Sequence, residues 1–216
     1  LTIMPIGLIL AGWASNNKYS LIGGLRAAAQ QISYEIPLLL AALGVIMVAG
    51  SLNMIELVEK QSGFLLSIGG IGIIPQWFIF FQPFGFVLFF IAVLADLNRS
   101  PFDLPEAESE IIAGPFTEYS SMKFIIFLFA EYATLIVLSG VIVIMYLGGW
   151  NGPSFLPPVI WFFLKLYFVI WFGIWIKGTV PRLRIDQLMN LGWKVLLPLA
   201  FLNITVTGLF ILQAGL

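Results

Sequence analysis

The 216-residue chain contains no cysteine and no histidine, and only 10% of its residues are charged. Iron–sulfur clusters need thiolate ligands, and haem iron needs an axial side chain such as histidine. The usual zinc and copper ligand sets are missing as well, and a chain without cysteine forms no disulfide. The six methionines and six tyrosines leave a haem as a formal alternative. We therefore expect no redox cofactor on this chain, so that any electrons would be carried by a partner.

Apolar residues dominate instead, at 60% of the chain with a mean hydropathy of +1.03. Charged residues make up roughly a quarter of a soluble domain. A helix that crosses a bilayer needs about 20 consecutive, mostly apolar residues. Several uncharged runs reach that length, the first of them from Ile36 to Ile55. The composition therefore predicts an all-α membrane protein, a polytopic bundle of transmembrane helices.

Hydropathy divides the chain into six apolar segments within a single transmembrane domain, residues 1–216. The chain starts at Leu1, and the apolar segment before Ser15 is too short to cross a bilayer. We therefore expect the first segment to be truncated and the N-terminal part of the protein to be missing. The segments are 1–13, 33–50, 71–95, 123–148, 158–178 and 194–214.

Basic residues are concentrated on one face of this predicted bundle. The connections 14–32, 96–122 and 179–193 lie on that face, whereas the other face has Lys60 alone. Basic residues are enriched in cytoplasmic loops, so the first face is predicted to be cytoplasmic or its topological equivalent. With flanking residues included, this face holds Lys18, Arg26, Arg99, Lys123, Lys177, Arg182, Arg184 and Lys194.

The stretch 94-LADLNRSPFDLPEAESEIIAG-114 concentrates acidic residues on the same face. It contains five of the eleven carboxylates, with Arg99 as its only basic residue. One interpretation is a solvated helix cap, because Asp103 and Glu106 have the spacing of a capping box. Such a cap needs only one or two acids, so the excess indicates a functional cluster. Its members are Asp96, Asp103, Glu106, Glu108 and Glu110.

Three charged residues lie within or at the start of predicted spans. Glu35 begins the second segment, Glu131 lies in the fourth and Lys165 lies in the fifth. A charge inside the membrane costs free energy, and such residues usually mark ion or proton paths. A mutual ion pair between Glu131 and Lys165 is the structural alternative.

Two further polar patterns are less specific. The first pattern is 181-PRLRIDQL-188, which contains Arg182, Arg184 and Asp186. One interpretation is that these residues anchor a helix end at the lipid headgroups. The functional alternative is that they provide fixed hydrogen-bond donors near a polar headgroup or an anionic partner surface. In residues 16–35, a polar stripe at helical spacing predicts an interfacial amphipathic helix that leads into the second span. The stripe comprises Arg26, Gln30 and Ser33.

Five stretches resemble, in the same order, the membrane subunit of respiratory complex I that forms the quinone chamber, a subunit designated H in bacteria and 1 in mitochondria. The middle stretch is the most specific, and together they span nearly the whole chain. They are 11-AGWASNNKYSLIGGLRAAAQQISYE-35, residues 94–114, 117-TEYSSMKF-124, 130-AEY-132 and 181-PRLRIDQLM-189.

The resemblance implies a non-redox subunit that forms part of the quinone chamber and couples quinone reduction to proton translocation. The family usually has glutamate at position 96, so Asp96 keeps the acid with a shorter side chain. By position, the resemblance assigns the proton path to Glu35, Asp96, Asp103, Glu106, Glu108, Glu110 and Glu131. It assigns the quinone chamber and its interface to Arg26, Arg99, Asp103, Arg182, Arg184 and Asp186.

The resemblance also implies quinone as substrate, with FMN and iron–sulfur clusters on partner subunits. The expected partners are the quinone-site and iron–sulfur subunits of the hydrophilic arm, the small membrane-arm subunits and the antiporter-like subunits. Lipid is expected as the surroundings, and no nucleic acid is expected. The implied location is the bacterial inner membrane, with the mitochondrial inner membrane as the alternative and the acidic loop on the cytoplasmic or matrix side.

Two other functions stay open on the sequence alone. A homologous membrane subunit of an energy-converting hydrogenase or formate hydrogenlyase complex has a related acidic loop but no quinone site. A stand-alone ion transporter would bind its coupling ion at intramembrane acids, but the sequence shows no inverted pair of interrupted helices. The stretches AGWASNNKY and PFDLPEAESE favour complex I.

Overall fold

The computed structural model describes residues 3–68, 71–99, 101–103, 114–153 and 156–214, with the side chains of 64–74 and 214 excepted. The described residues form helices and one short antiparallel hairpin, β1 (Phe64–Ile68) with β2 (Ile71–Pro75). The helices are α1 (Met4–Ala14), α2 (Lys18–Ala49), α3 (Met54–Lys60), α4 (Phe78–Phe81), α5 (Pro83–Asp96), α6 (Ser121–Tyr146), α7 (Pro158–Thr179), α8 (Ile185–Asn190) and α9 (Leu197–Ala214).

Four helical segments in the described part of the chain are long and apolar enough to cross a membrane. They are α2, α6, α7 and a continuous helix over Ile185–Gln213, in which a π-helical turn, Leu191–Leu196, joins α8 to α9. The shorter α1 and α5 are also apolar. The predicted class, an all-α membrane protein, is confirmed.

The core of the bundle lies where α5 packs between α2 and α6. Phe89 of α5 contacts the ring of Tyr146 on α6 at a centroid distance of 5.6 Å, and both side chains are buried. Many large apolar side chains face outward instead, for example Phe168 and Trp171 on α7. Outward-facing apolar side chains are expected where the surrounding solvent is lipid. We call the end of the bundle with the α1–α2 and α7–α8 connections the basic end, and the end with α3 and the hairpin the opposite end.

Helix α2 is longer than the second predicted span, 33–50, because it also includes the helix predicted before that span. It runs unbroken for 32 residues, so the predicted connection 14–32 reduces to the few residues between α1 and α2. The helix predicted over residues 16–35 is present and leads into the second span as predicted, but two residues of its polar stripe face protein. Gln30 is 1% exposed and Ser33 is 3% exposed, whereas Leu25 and Ile32 on the other face are about half exposed.

The predicted span 71–95 is interrupted. Its first residues form strand β2, and the backbone turns at Gln82 (φ −131°, ψ 60°) between α4 and α5. Pro83 occupies the first turn of α5, where its missing N–H removes no helical hydrogen bond. The 14 residues of α5 extend for about 21 Å, which is less than the thickness of a bilayer core. Hydropathy alone could not locate this break, because the residues on both sides of it are apolar.

The opposite end is closed by polar side chains that bind backbone groups. Lys165 of α7 is buried and its Nζ donates to the carbonyl oxygens of Leu147 (2.7 Å), Gly149 (3.1 Å) and Asn151 (2.5 Å). The ammonium also lies 4.3 Å from the centroid of the Trp77 ring. Lys165 is therefore satisfied by carbonyl oxygens and an aromatic face, and not by Glu131 as the ion-pair alternative required.

Gln61 completes this closure. Its Nε2 donates to the carbonyl oxygens of Leu57 (3.1 Å) and Ile144 (3.0 Å), and its Oε1 accepts from the N–H groups of Phe78 (3.2 Å) and Gly148 (3.0 Å). Gly148 has φ +71°, and a Cβ there would lie 2.6 Å from the Trp77 ring, so only glycine fits this turn. A single side chain thus joins α3, α4 and the end of α6.

Candidate functional site

At the basic end, Gln30 of α2 fixes the chain that leaves α5. Its Nε2 donates to the carbonyl oxygens of Ala95 (2.8 Å) and Phe102 (2.7 Å), so one amide holds both sides of the turn. Tyr34 packs its ring against Phe102 at a centroid distance of 5.6 Å and donates to the carbonyl oxygen of Leu188 at 2.9 Å. These contacts bring α2, α5 and α8 together at the basic end.

Asp96 is the last residue of α5 and is 5% exposed. Its backbone carbonyl accepts a hydrogen bond of 3.4 Å from Gln31, and its Oδ2 has no hydrogen-bond donor among the described residues. Glu35 of α2 is near enough for the two carboxylates to repel each other. The structure therefore places two of the predicted acids within electrostatic range of each other at the basic end.

Arg99 provides the counter-charge for Glu131. Its Nη2 lies 3.1 Å from Glu131 Oε1, with the two side chains 13% and 21% exposed. The guanidinium also lies 4.9 Å from the centroid of the Tyr132 ring. Because the sequence placed Arg99 in a loop and Glu131 inside a span, their pairing could not be inferred from the pattern. The pair joins the end of α5 to α6.

An apolar cavity of about 250 Å³ lies between α5, α6 and α7. Its walls are formed by side chains such as Val93, Ile142 and Val169. The polar lining includes Arg99, Tyr132 and Lys177. Ligand sites commonly combine an apolar wall with a few polar groups that orient the ligand. The arrangement can therefore hold an apolar molecule whose polar end meets Arg99, the partner of Glu131.

A second ion pair joins the acidic stretch to the segment before α8. Asp103 Oδ2 lies 3.2 Å from Arg182 Nη2, and the Leu183 N–H donates to the carbonyl oxygen of Pro101 at 3.0 Å. The Asp103 side chain is 10% exposed, whereas the Arg182 side chain is 49% exposed. Arg182 thus pairs with an acid of the cluster and does more than anchor a helix end.

Replacing Asp103 with Asn should lower the free energy of unfolding by less than about 1 kcal/mol, because a half-exposed arginine is screened by water. The change should be measured as the shift in the apparent midpoint of thermal unfolding in detergent. Replacing the exposed Asp186 with Asn serves as the control. A loss of about 3–5 kcal/mol, the cost of removing one partner from a fully buried ion pair, would contradict this assignment.

The other predicted site residues are not all brought together. Arg184 and Asp186 are exposed at the start of α8, where they match the interpretation of a helix end. Arg26 is half-buried on α2. The acids Glu106, Glu108 and Glu110, and with them the predicted helix cap at Asp103, lie outside the described residues.

Several polar residues that position the site were not assigned to it from the sequence. Gln30 was placed only in an interfacial stripe, and Gln31 and Tyr34 were not singled out. The π-helical turn brings Trp193 to Ser33, where its Nε1 donates to the hydroxyl oxygen at 3.1 Å. π-helical turns are frequent at functional sites. The sequence did contain one indication of buried amide side chains, because Gln30 and Gln31 are consecutive and come shortly before a long apolar run.

Comparison with known proteins gives consistent matches. The sequence profile of a family described as "NADH dehydrogenase" matches residues 1–208. An NADH-quinone oxidoreductase subunit of Geobacter metallireducens, designated H 2, is 50% identical over 205 residues, which are 95% of this chain and 56% of that protein. The NADH-quinone oxidoreductase subunit of Bacillus mycoides that is designated H is 50% identical over 210 residues, which are 96% of this chain and 60% of that protein. The chain therefore spans somewhat more than half the length of the curated relatives it matches.

Proposed function

Because the chain belongs to the NADH dehydrogenase family, we propose that it is the quinone-chamber membrane subunit of an NADH-quinone oxidoreductase, complex I. In this role it forms part of the quinone-binding chamber and couples quinone reduction to proton translocation. The observation that supports this most directly is Arg99, which lines an apolar cavity and forms an ion pair with Glu131. An apolar quinone with a polar head matches that lining in chemistry.

The proposed coupling depends on charge. Reduction of a quinone takes up two electrons and two protons, and a negative charge at the basic end would compete with Glu131 for Arg99. Electrostatic interactions of this kind are strong where water is excluded. The competition would link the charge state of the quinone to the protonation of the neighbouring carboxylates, which titrate as an interacting group. Glu35 and Asp96, whose carboxylates repel each other, belong to the same proposed group.

The remaining assignments belong to the same proposal. Quinone is the substrate, and FMN and iron–sulfur clusters are on partner subunits. The partners are the hydrophilic-arm, small membrane-arm and antiporter-like subunits, and the basic end faces the cytoplasm. The proton path comprises Glu35, Asp96, Asp103, Glu106, Glu108, Glu110 and Glu131. The chamber and its interface comprise Arg26, Arg99, Asp103, Arg182, Arg184 and Asp186.

Replacing Glu131 with Gln in the full-length subunit should reduce quinone-linked NADH oxidation by about tenfold or more, an effect equal to about 1.4 kcal/mol in activation free energy. Turnover and proton pumping should be measured in inverted membrane vesicles, with assembly checked by immunoblot. The matched control is Glu56→Gln, because Glu56 is exposed at the opposite end. Normal turnover and pumping in an assembled Glu131→Gln complex would exclude this residue from the path.

The partners are tested by gentle purification of the tagged full-length protein and mass spectrometry. We expect flavin-binding and iron–sulfur NADH-oxidising subunits to copurify. Recovery of a nickel–iron hydrogenase large subunit instead would contradict the quinone site, and recovery of the protein alone would favour a transporter.

A further inference from the structure

A larger cavity, of about 720 Å³, lies at the opposite end between the end of α2, the break between α4 and α5, and α9. Most of its lining residues are apolar, for example Phe84 and Phe210, and Lys60 and Gln76 are among the polar ones. The charged residues of the basic end do not line it. The sequence pattern predicted no function for this region.

The floor of this cavity is polar. Gln82 Nε2 donates to the carbonyl oxygen of Gly44 (3.1 Å) and to the Thr207 hydroxyl (2.9 Å), and that hydroxyl donates to the carbonyl oxygen of Asn203 (2.7 Å). Gln82 and Asn203 are only 6% and 7% exposed. The Oε1 of Gln82 and the Nδ2 of Asn203 have no hydrogen-bond partner among the described residues. The two side chains that carry this buried acceptor and this buried donor therefore both belong to the lining of the same cavity.

Two glycines make room for these amides between α2 and α5. A Cβ on Gly44 would lie 3.0 Å from Asn203 Nδ2, and a Cβ on Gly85 would lie 3.1 Å from the same atom. A larger residue at either position would displace the amide from the floor. The polar floor is therefore built from a helix break, two glycines and three side chains of complementary hydrogen-bonding type.

We propose that this cavity is a water-filled vestibule, which admits water from the opposite face into the bundle as far as Gln82 and Asn203. A buried polar group without a partner costs about 1–3 kcal/mol. Water can donate to the Gln82 Oε1 and accept from the Asn203 Nδ2, whereas a hydrocarbon chain can do neither. The cavity has ample room, since a water molecule takes up about 30 Å³ in the liquid.

The broken backbone at Gln82 supports the same occupant. At membrane depth, non-helical backbone is tolerated where it is buried in protein or lines a water-filled cavity. Lys60, at the end of α3, and Gln76 add polar groups to the lining at the opposite end. The vestibule does not depend on the proposed function, because α5 separates its floor from Asp96 by about 20 Å.

Cysteine accessibility tests the proposal, and the absence of native cysteine in these 216 residues makes each introduced thiol unique within them. Thr207→Cys places a thiol at the floor. Thr205→Cys is the matched control, since Thr205 is exposed on another face of α9 and does not line the cavity. The full-length variants, assembled in membrane vesicles with the opposite face outward, are treated with a charged, membrane-impermeant methanethiosulfonate. Residual thiol is then counted by maleimide labelling of the denatured chain.

Thiolates react and neutral thiols do not, so a thiol in contact with water should react much faster than one in lipid. We expect Thr207→Cys to be modified about tenfold faster than Thr205→Cys. If Thr207→Cys does not accumulate, Val206→Cys lines the same cavity and should show the same difference. Equal rates, or modification of the cavity position by uncharged N-ethylmaleimide alone, would overturn the proposal in favour of lipid or a partner helix.

Discussion

Replacing Lys165 with Met is expected to lower the free energy of unfolding by about 3 kcal/mol or more. The substitution removes a buried ammonium that binds the carbonyl oxygens of Leu147, Gly149 and Asn151. Hydrogen bonds to charged groups are worth about 1.5–3 kcal/mol each, and the abandoned carbonyl groups stay buried. For a chain of this size the apparent midpoint of thermal unfolding should fall by roughly 6–12 °C. Fluorescence-detected size exclusion of the heated, tagged protein measures the shift.

The matched control for this prediction is Lys177→Met on the same helix, because Lys177 is exposed. That variant should shift the midpoint by no more than about 2 °C, as surface substitutions usually do. A second comparison separates the carbonyl cage from the ion-pair alternative. If Glu131 were the partner of Lys165, the losses caused by Lys165→Met and Glu131→Gln would not add in the double variant. Losses that fail to add would contradict the structure, which expects the two effects to be independent.

Replacing Arg99 with Gln is expected to destabilise the protein by about 2 kcal/mol, because it leaves the Glu131 carboxylate without its counter-charge. Breaking a fully buried ion pair by removing one partner costs about 3–5 kcal/mol, and the partial exposure of this pair reduces that cost. The double variant Arg99→Gln/Glu131→Gln should recover much of the loss, since neither residue then leaves an unpaired charge. The midpoints of the four proteins give the coupling free energy, which should be about 1–2 kcal/mol.

The pair Asp103–Arg182 provides the internal comparison for that cycle. Its arginine side chain is 49% exposed, whereas the Arg99 side chain is 13% exposed. The coupling free energy of this second cycle should therefore stay below about 1 kcal/mol. Additive effects at Arg99 and Glu131 would show that the two residues do not interact and would remove the main support for the proposed coupling.

The membrane class of the protein could be predicted from sequence because the bilayer sets a simple requirement. A run of apolar residues must be long enough to cross about 30 Å of hydrocarbon, and the sequence states its length directly. Segments 123–148 and 158–178 accordingly agree closely with α6 and α7. In contrast, the break at Gln82 separates two apolar stretches, so hydropathy could not distinguish it from a continuous helix.

The orientation of polar side chains depended on neighbours that hydropathy does not describe. The stripe with Gln30 and Ser33 is compatible with an interfacial helix and with a helix face buried in protein. Gln30 is buried because its side chain donates to the carbonyl oxygens of Ala95 and Phe102, which the sequence pattern does not reveal. The partners of Lys165 are backbone atoms, which leave no residue pattern to recognise. Arg99 and Glu131 are separated by a segment whose course the sequence does not specify. Tertiary contacts therefore decided which charges meet.

The shortness of α5 has a consequence for how the protein enters the membrane during its synthesis. Its 14 residues would be insufficient to hold an isolated segment across the bilayer, and much of its surface, including Phe89 and Val93, is covered by other helices. The segment must then be inserted together with its neighbours. We infer that α5 adopts its position only after α2 is in place. A substitution that disrupts α2 would therefore displace both ends of α5, at Gln82 and at Asp96.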